Sequence, residues 1–128
     1  MENYSVPLTT LVREFGLQVT YAATDYQKIR LTVEDVARPG LQLAGYFDHF
    51  EPMRLQVMGN VEISYLSKLS AAERLMIYDR LFSYKVPAVL IARNLPMNDE
   101  CLIMARKHNV TILHSGEATS TIVSSIVA

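Results

Sequence analysis

Residues 1–128 predict a single α/β domain. A small α+β portion over 1–52 precedes a βαβαβα run with a parallel sheet over 53–128. Three observations carry this reading. From Arg54 onward, short apolar strands alternate with longer helical patterns. Ala88–Ala92 is a continuous apolar run of the kind found in strands covered on both faces. Ser70-Ala71-Ala72-Glu73 is a capping box, in which the serine oxygen accepts the amide of residue 73 and the glutamate reaches back to the amide of residue 70.

Taken in order, Leu8, Leu11, Val12 and Phe15 fall on one face of a short helix. Pro7 suits its first turn and Gly16 its C-terminal stop. Gln18–Ala22 and Lys28–Val33 alternate and carry β-branched or aromatic residues, which predicts two strands, with Ala23-Thr24-Asp25 as a polar turn. Asp35–Gly45 follows no period and reads as an irregular loop, with room for a single helical turn over Leu41–Phe47. Leu55–Met58 is a strand ending at Gly59, and Asn60–Leu66 a short helix. The capped helix runs to about Tyr84, and Pro87 introduces the Ala88–Ala92 strand. Asn98 caps the next helix, with Asp99 and Glu100 at its positive end and Arg106, Lys107 and His108 at its negative end. Val110–Leu113 is a third strand. Glu117–Val127 reads as a last helix, with strand as the alternative that its Thr, Ile and Val leave open.

Within this frame, Arg38-Pro39-Gly40-Leu41, Gly45-Tyr46-Phe47 and then Arg54, Gln56, Gly59 and Glu62 resemble the N-terminal domain of bacterial HPr kinase/phosphorylase in order and spacing. The resemblance extends to Pro87-Ala88-Val89-Leu90 and Ala118-Thr119-Ser120-Thr121. Ala37 departs from it, where serine is expected. It implies a fold similar to the N-terminal domain of Mur ligases. It also implies an enzyme that phosphorylates and dephosphorylates a serine of the phosphocarrier HPr, and so controls carbon catabolite repression through the sugar phosphotransferase system. That enzyme would be a hexamer using ATP and magnesium, with its chemistry in a second domain carrying G-x-x-x-x-G-K-[ST]. Such a loop cradles phosphates with backbone N–H groups, while its lysine and hydroxyl reach the terminal phosphates and the metal. No lysine of this chain is followed by serine or threonine, so the motif is absent. The resemblance therefore implies a regulatory or assembly domain with no catalytic residue and no cofactor of its own. Its partners would be other copies of itself, with HPr reached through the catalytic domain.

Composition narrows the function classes. Half the residues are hydrophobic, a fifth are charged, and the net charge is −1, which gives no electrostatic footprint for nucleic acid and no basic membrane patch. One cysteine, Cys101, excludes an internal disulfide and fits a reducing compartment. Met-Glu-Asn-Tyr lacks the layout of a signal peptide, and the apolar runs are too short to span a bilayer, so the expectation is a cytoplasmic protein.

Seven residues stand out as possible ligand or partner contacts: Arg38, Tyr46, Glu62, Arg93, Asn94, His114 and Ser115. Arg38 reads either as an anion or partner contact or as a pin bonding backbone carbonyls of its own loop. Tyr46, with Phe47, either lines a cleft or fills core. Glu62, Arg93, Asn94, His114 and Ser115 follow the three parallel strands, at the end of a sheet where α/β proteins place ligands. The histidines at 49, 108 and 114 lack metal-ligand spacing, so no metal site is expected. From another function class, the polar strand ends and the Mur ligase similarity fit a stand-alone sensor of a nucleotide or sugar phosphate.

Overall fold

The computed structural model describes residues 5–32, 36–118 and 121. Its centre is a five-stranded sheet of order β2-β7-β6-β5-β4. Strands β4 (Val36–Ala37), β5 (Leu55–Met58), β6 (Ala88–Ile91) and β7 (Thr111–His114) run parallel, and β2 (Gln18–Tyr21) lies antiparallel on β7. A second, two-stranded sheet pairs β1 (Ser5–Pro7) with β3 (Arg30–Thr32). Helices α1 (Leu8–Phe15), α2 (Gly40–Leu43), α3 (Asn60–Ser67), α4 (Ala71–Ser83) and α5 (Asp99–His108), with a 3₁₀ turn over Tyr26–Lys28, complete the described elements.

The central strands are apolar on both faces because both are covered. Met58, Val89, Ile91 and Ile112 face α3, α4 and α5, where Leu66, Tyr78, Phe82 and Ala105 close one core. Val57, Ala88, Leu90 and Leu113 point the other way, against Leu8 and Leu11 of α1 and Leu31 of β3. From β4 to β7 each strand is laid one place further in the same direction. Right-handed crossovers then put every connecting helix on one side, leaving the other face to the N-terminal residues.

Local chemistry explains most element ends. The Leu8 amide, at the first turn of α1, donates to Ile29 O at 2.9 Å, and Gly16 closes the helix at φ 60° with its N–H on Val12 O. The Ser70–Glu73 capping box forms as expected: Glu73 N donates to Ser70 Oγ at 3.2 Å and Ser70 N to Glu73 Oε1 at 3.0 Å. The bond to the Ser70 backbone holds the Glu73 carboxyl below its ordinary range.

Several expectations need correction. The 35–45 loop holds β4, two residues too short to show a period, which pairs Val36 with Leu55 and Ala37 with Gln56. It also holds α2, which begins at Gly40 rather than Leu41. The 28–33 strand starts at Arg30, because Tyr26–Lys28 winds into a 3₁₀ turn held by Lys28 N on Asp25 O at 2.8 Å. β1 has no sequence signal of its own. The N-terminal portion does more than pack beside the parallel sheet, since β2 and β4 form its two edges. Asn98 occupies the N-cap position of α5 but does not cap it; its Oδ1 accepts the buried Tyr78 hydroxyl at 2.9 Å instead. The expected helix over 117–127 lies largely outside the described residues; Glu117 and Ala118 are not helical, and Thr121 is.

Arg74 ties three helices together. Its Nε pairs with Glu100 at the start of α5, and its Nη1 bonds Leu69 O at 2.5 Å, just beyond α3, and Leu66 O at 3.3 Å, which also accepts the Leu69 amide. Both side chains are largely buried. Truncation strands Glu100 and Leu69 O, so Arg74→Ala is expected to lower the unfolding free energy by roughly 2–4 kcal/mol in urea titration. A change below about 0.5 kcal/mol would show that the three helices hold without it.

The C-terminal edge of the sheet as a candidate functional site

The residues singled out after the parallel strands do reach one edge of the molecule, because parallel strands end on the same side. β4 delivers Arg38, β5 delivers Gly59 and Glu62, β6 delivers Arg93 and Asn94, and β7 delivers His114 and Ser115. Much of this polar chemistry is already committed to the protein.

Glu62 is almost fully buried, and Arg38 Nη2 donates to both its carboxyl oxygens, at 2.8 and 3.1 Å. Glu62 Oε1 also accepts the Gly59 amide at 2.6 Å, one half of a capping box whose other half a glycine has no side chain to supply. Arg38 therefore pins the loop, through a carboxylate rather than through backbone carbonyls. It engages Glu62 through one nitrogen and keeps 40% of its side chain exposed.

His114 Nδ1 is hydrogen-bonded to Thr20 Oγ1, tying β7 to its antiparallel neighbour. Burial lowers the pKa of His114, and a backbone hydrogen bond to Leu95 offsets this in part. Ser115 is buried: its amide donates to Ile91 O at 2.9 Å, its carbonyl accepts Asn94 N at 2.8 Å, and its hydroxyl oxygen accepts Glu117 N at 3.1 Å. Both residues stitch the edge together. Arg93 and Asn94 are exposed, with positive φ of 57° and 50°.

Tyr46 stands away from this edge and is 46% exposed. Its neighbour Phe47 is partly buried, stacked on Tyr84 at 4.9 Å between centroids and 7° between planes. Phe50 meets both rings edge-on, and the Arg80 guanidinium lies 4.1 Å over Phe47.

Two features escaped the sequence reading. An apolar groove of about 300 Å³ runs between the α2 end and the α3–α4 pair, with Leu43, Tyr65, Leu69, Met76, Ile77 and Arg80 among its lining. Met76 and Tyr65 lie exposed on their helices, a weak signal at best. On the far side, Asp79 of α4 accepts hydrogen bonds from Lys107 Nζ at 3.1 Å and His108 Nε2 at 2.6 Å; bonding to His108 first, then Lys107, lowers the Asp79 pKa. These partners are too distant in sequence for any motif to reveal them.

Among the described residues, no group of three His, Cys, Asp or Glu is arranged to hold a metal ion, and no helix is long and apolar enough to cross a membrane. Cys101 is buried, and desolvation pushes its thiol up to about 12, leaving it protonated and unreactive.

Comparison with known proteins gives the residues their context. The family model described as HPr Serine kinase N terminus matches residues 6–128. The chain belongs to the HPr serine kinase N-terminal family. HPr kinase/phosphorylase of Streptococcus uberis is 33% identical over 95% of this chain and 39% of its own length. That of Streptococcus gordonii is 36% identical over 91% and 37%, and that of Clostridium perfringens 37% identical over 94% and 39%. The chain thus spans under two-fifths of these relatives. The CBS and DRTGG domains of the regulatory region of a Clostridium perfringens pyrophosphatase, solved with diadenosine tetraphosphate, align with TM-score 0.64 and 16% identity over 94% of this chain and 45% of that one. That likeness concerns the fold.

The residues that carry the HPr kinase resemblance meet in space. Arg38, Gly59 and Glu62 form one bonded set, and Gly45, at φ 99°, turns the chain so that Phe47 meets Tyr84 and Arg80. A side chain at Gly45 would be strained whatever space it found.

Two measurements check this geometry. A double-mutant cycle of Arg38→Ala and Glu62→Ala should return a coupling of about 1–2 kcal/mol, and zero coupling would mean that the pair does not pin the loop. His114 binds its proton less readily folded than unfolded, so protonation favours the unfolded chain. Its contribution is complete above the ordinary histidine value of 6.5 and is lost as pH falls below it. Unfolding titrations between pH 7.5 and 5 should show that loss, and His114→Gln should flatten the slope.

Proposed function

We propose that this chain is the regulatory and assembly domain of a bifunctional HPr serine kinase/phosphorylase, and is not catalytic by itself. The observation that carries the proposal is the match to the family's N terminus over residues 6–128, within a chain that spans only 37–39% of three full-length relatives. The absence of G-x-x-x-x-G-K-[ST] supports it. Without that loop, no step of phosphoryl transfer is assigned to this chain.

In this reading the complete enzyme is a cytoplasmic hexamer that acts on HPr and sets carbon catabolite repression through the phosphotransferase system. The domain biases assembly, or the balance between kinase and phosphorylase, without touching the transferred phosphoryl group. A sheet covered on both faces suits such a part, because it gives the domain a packed core of its own.

The test has two arms. Incubated with ATP, magnesium and HPr, the chain alone should leave HPr unmodified, and serine phosphorylation of HPr would overturn the non-catalytic reading. The Clostridium perfringens relative should change its particle mass, or its ratio of kinase to phosphorylase rate, when the segment matching this chain is removed. Unchanged mass and unchanged rates would sink the regulatory reading.

A further inference from the structure

β6 ends in a turn whose own residues suit it poorly. Arg93 and Asn94 take φ 57° and 50°, and the Leu95 amide closes the turn on Ala92 O at 3.0 Å. Two successive positive-φ residues inside such a bond are the mark of a type I′ turn, which favours Asn and Gly at its centre. Asn94 tolerates that conformation; an arginine there costs about 1–2 kcal/mol. The other positive-φ residues with side chains, Lys85 and Asn109, follow the ends of α4 and α5, where a left-handed residue is the ordinary helix stop. Arg93 has no such explanation.

The strained shape is set from several sides. Arg93 N donates to Glu117 O at 2.9 Å and Asn94 N to Ser115 O at 2.8 Å. A side chain on Gly116 would come within 3.2 Å of Asn94 Nδ2, a tight approach to which the Asn94 amide would have to yield. His114, tied to Thr20 and to Leu95, braces the far side. These hydrogen bonds set the turn without a guest, which spares a ligand part of the cost of ordering it.

What it presents is an exposed guanidinium. Arg38, Arg74 and Arg80 each give donors to the protein, whereas the Arg93 side chain makes no ion pair or hydrogen bond among the described residues. Glu117, the acidic residue nearest this turn in the chain's hydrogen-bond pattern, meets Arg93 only through its backbone carbonyl. β5 lies next to β6, with Ala92 N on Met58 O at 2.9 Å, and β4 lies beyond it. Arg38, at the end of β4, lies two strands from Arg93 and, by the register that aligns Ala37 with Gln56 and Val89, about three residues short of it along the strands, so the two backbones are roughly 14 Å apart. Glu62, between them, is already neutralised by Arg38 and the Gly59 amide.

We propose that this end of the sheet binds a small phosphate-bearing ligand, with Arg93 as the principal contact and Arg38 as the second. A guanidinium fork matches the oxygens of a phosphate group, and Arg38 has donors unspent on Glu62 with which to share a second oxygen. The inference does not rest on the regulatory reading above, since it needs neither HPr nor a second domain.

The experiment follows backbone amide resonances of the chain during titration with inorganic phosphate, and separately with glycerol 3-phosphate, at constant ionic strength set by sodium chloride. Saturable shifts confined to Arg38, Gly59, Asn60, Arg93 and Asn94 are expected in the millimolar range. Equal affinity for the two probes identifies free phosphate as the ligand, and tighter binding of the ester identifies an organic phosphate. Arg93→Gly should weaken binding at least about tenfold while holding or raising the melting temperature, because glycine suits the turn. Absence of saturable shifts, or wild-type affinity in a folded Arg93→Gly variant, would overturn the proposal.

Discussion

A sheet made of Leu55–Met58, Ala88–Ile91 and Thr111–His114 has no face fit for water, and the rest of the fold answers that constraint. The helices between these strands can cover one side only, since each crossover winds in the same sense. The second cover has to come from elsewhere in the chain, and it comes from Leu8, Leu11 and Leu31. Fully burying one such side chain contributes about 1.5–3 kcal/mol, so the N-terminal helix and its small sheet are energetically part of the core. The same N-terminal stretch supplies both edge strands, which explains why the fold is not divided at residue 52.

How much of this was legible in the sequence depended on how local the cause was. Pro7, Gly16 and the Ser70–Glu73 box act within one helical turn, and they set the ends of α1 and α4 as read. The continuous apolar run at Ala88–Ala92 announced a doubly covered strand, because burial on both faces erases alternation. β1 and β4 were illegible for the opposite reason. Two or three residues carry no period, and what makes them strands is a partner far along the chain. Asn98 looked like a cap because its residue type prefers that role; a buried tyrosine hydroxyl with greater need took its side chain instead.

At the polar edge, parallel topology made the grouping of Arg38, Glu62, Arg93, Asn94, His114 and Ser115 readable. Their division of labour was not readable, because it depends on distances of a few ångströms. His114 and Ser115 turned inward to satisfy their neighbours, Glu62 became the acceptor that locks Arg38, and Arg93 kept its charged group outward with no ion pair among the described residues. The family's shared words, from Arg38 to Glu62, thus record a folding requirement as much as a site.

The pairing of Gln18 with His114 has a consequence for how the molecule is made. An edge strand synthesised near the start has no partner until nearly the whole described chain exists. During translation β2 is an open edge with Val19 exposed beside it, while β5 and β6 can already pair. Closure of that long loop belongs to the last stage of folding, and the interval before it is when the nascent chain is most open to pairing with a neighbour.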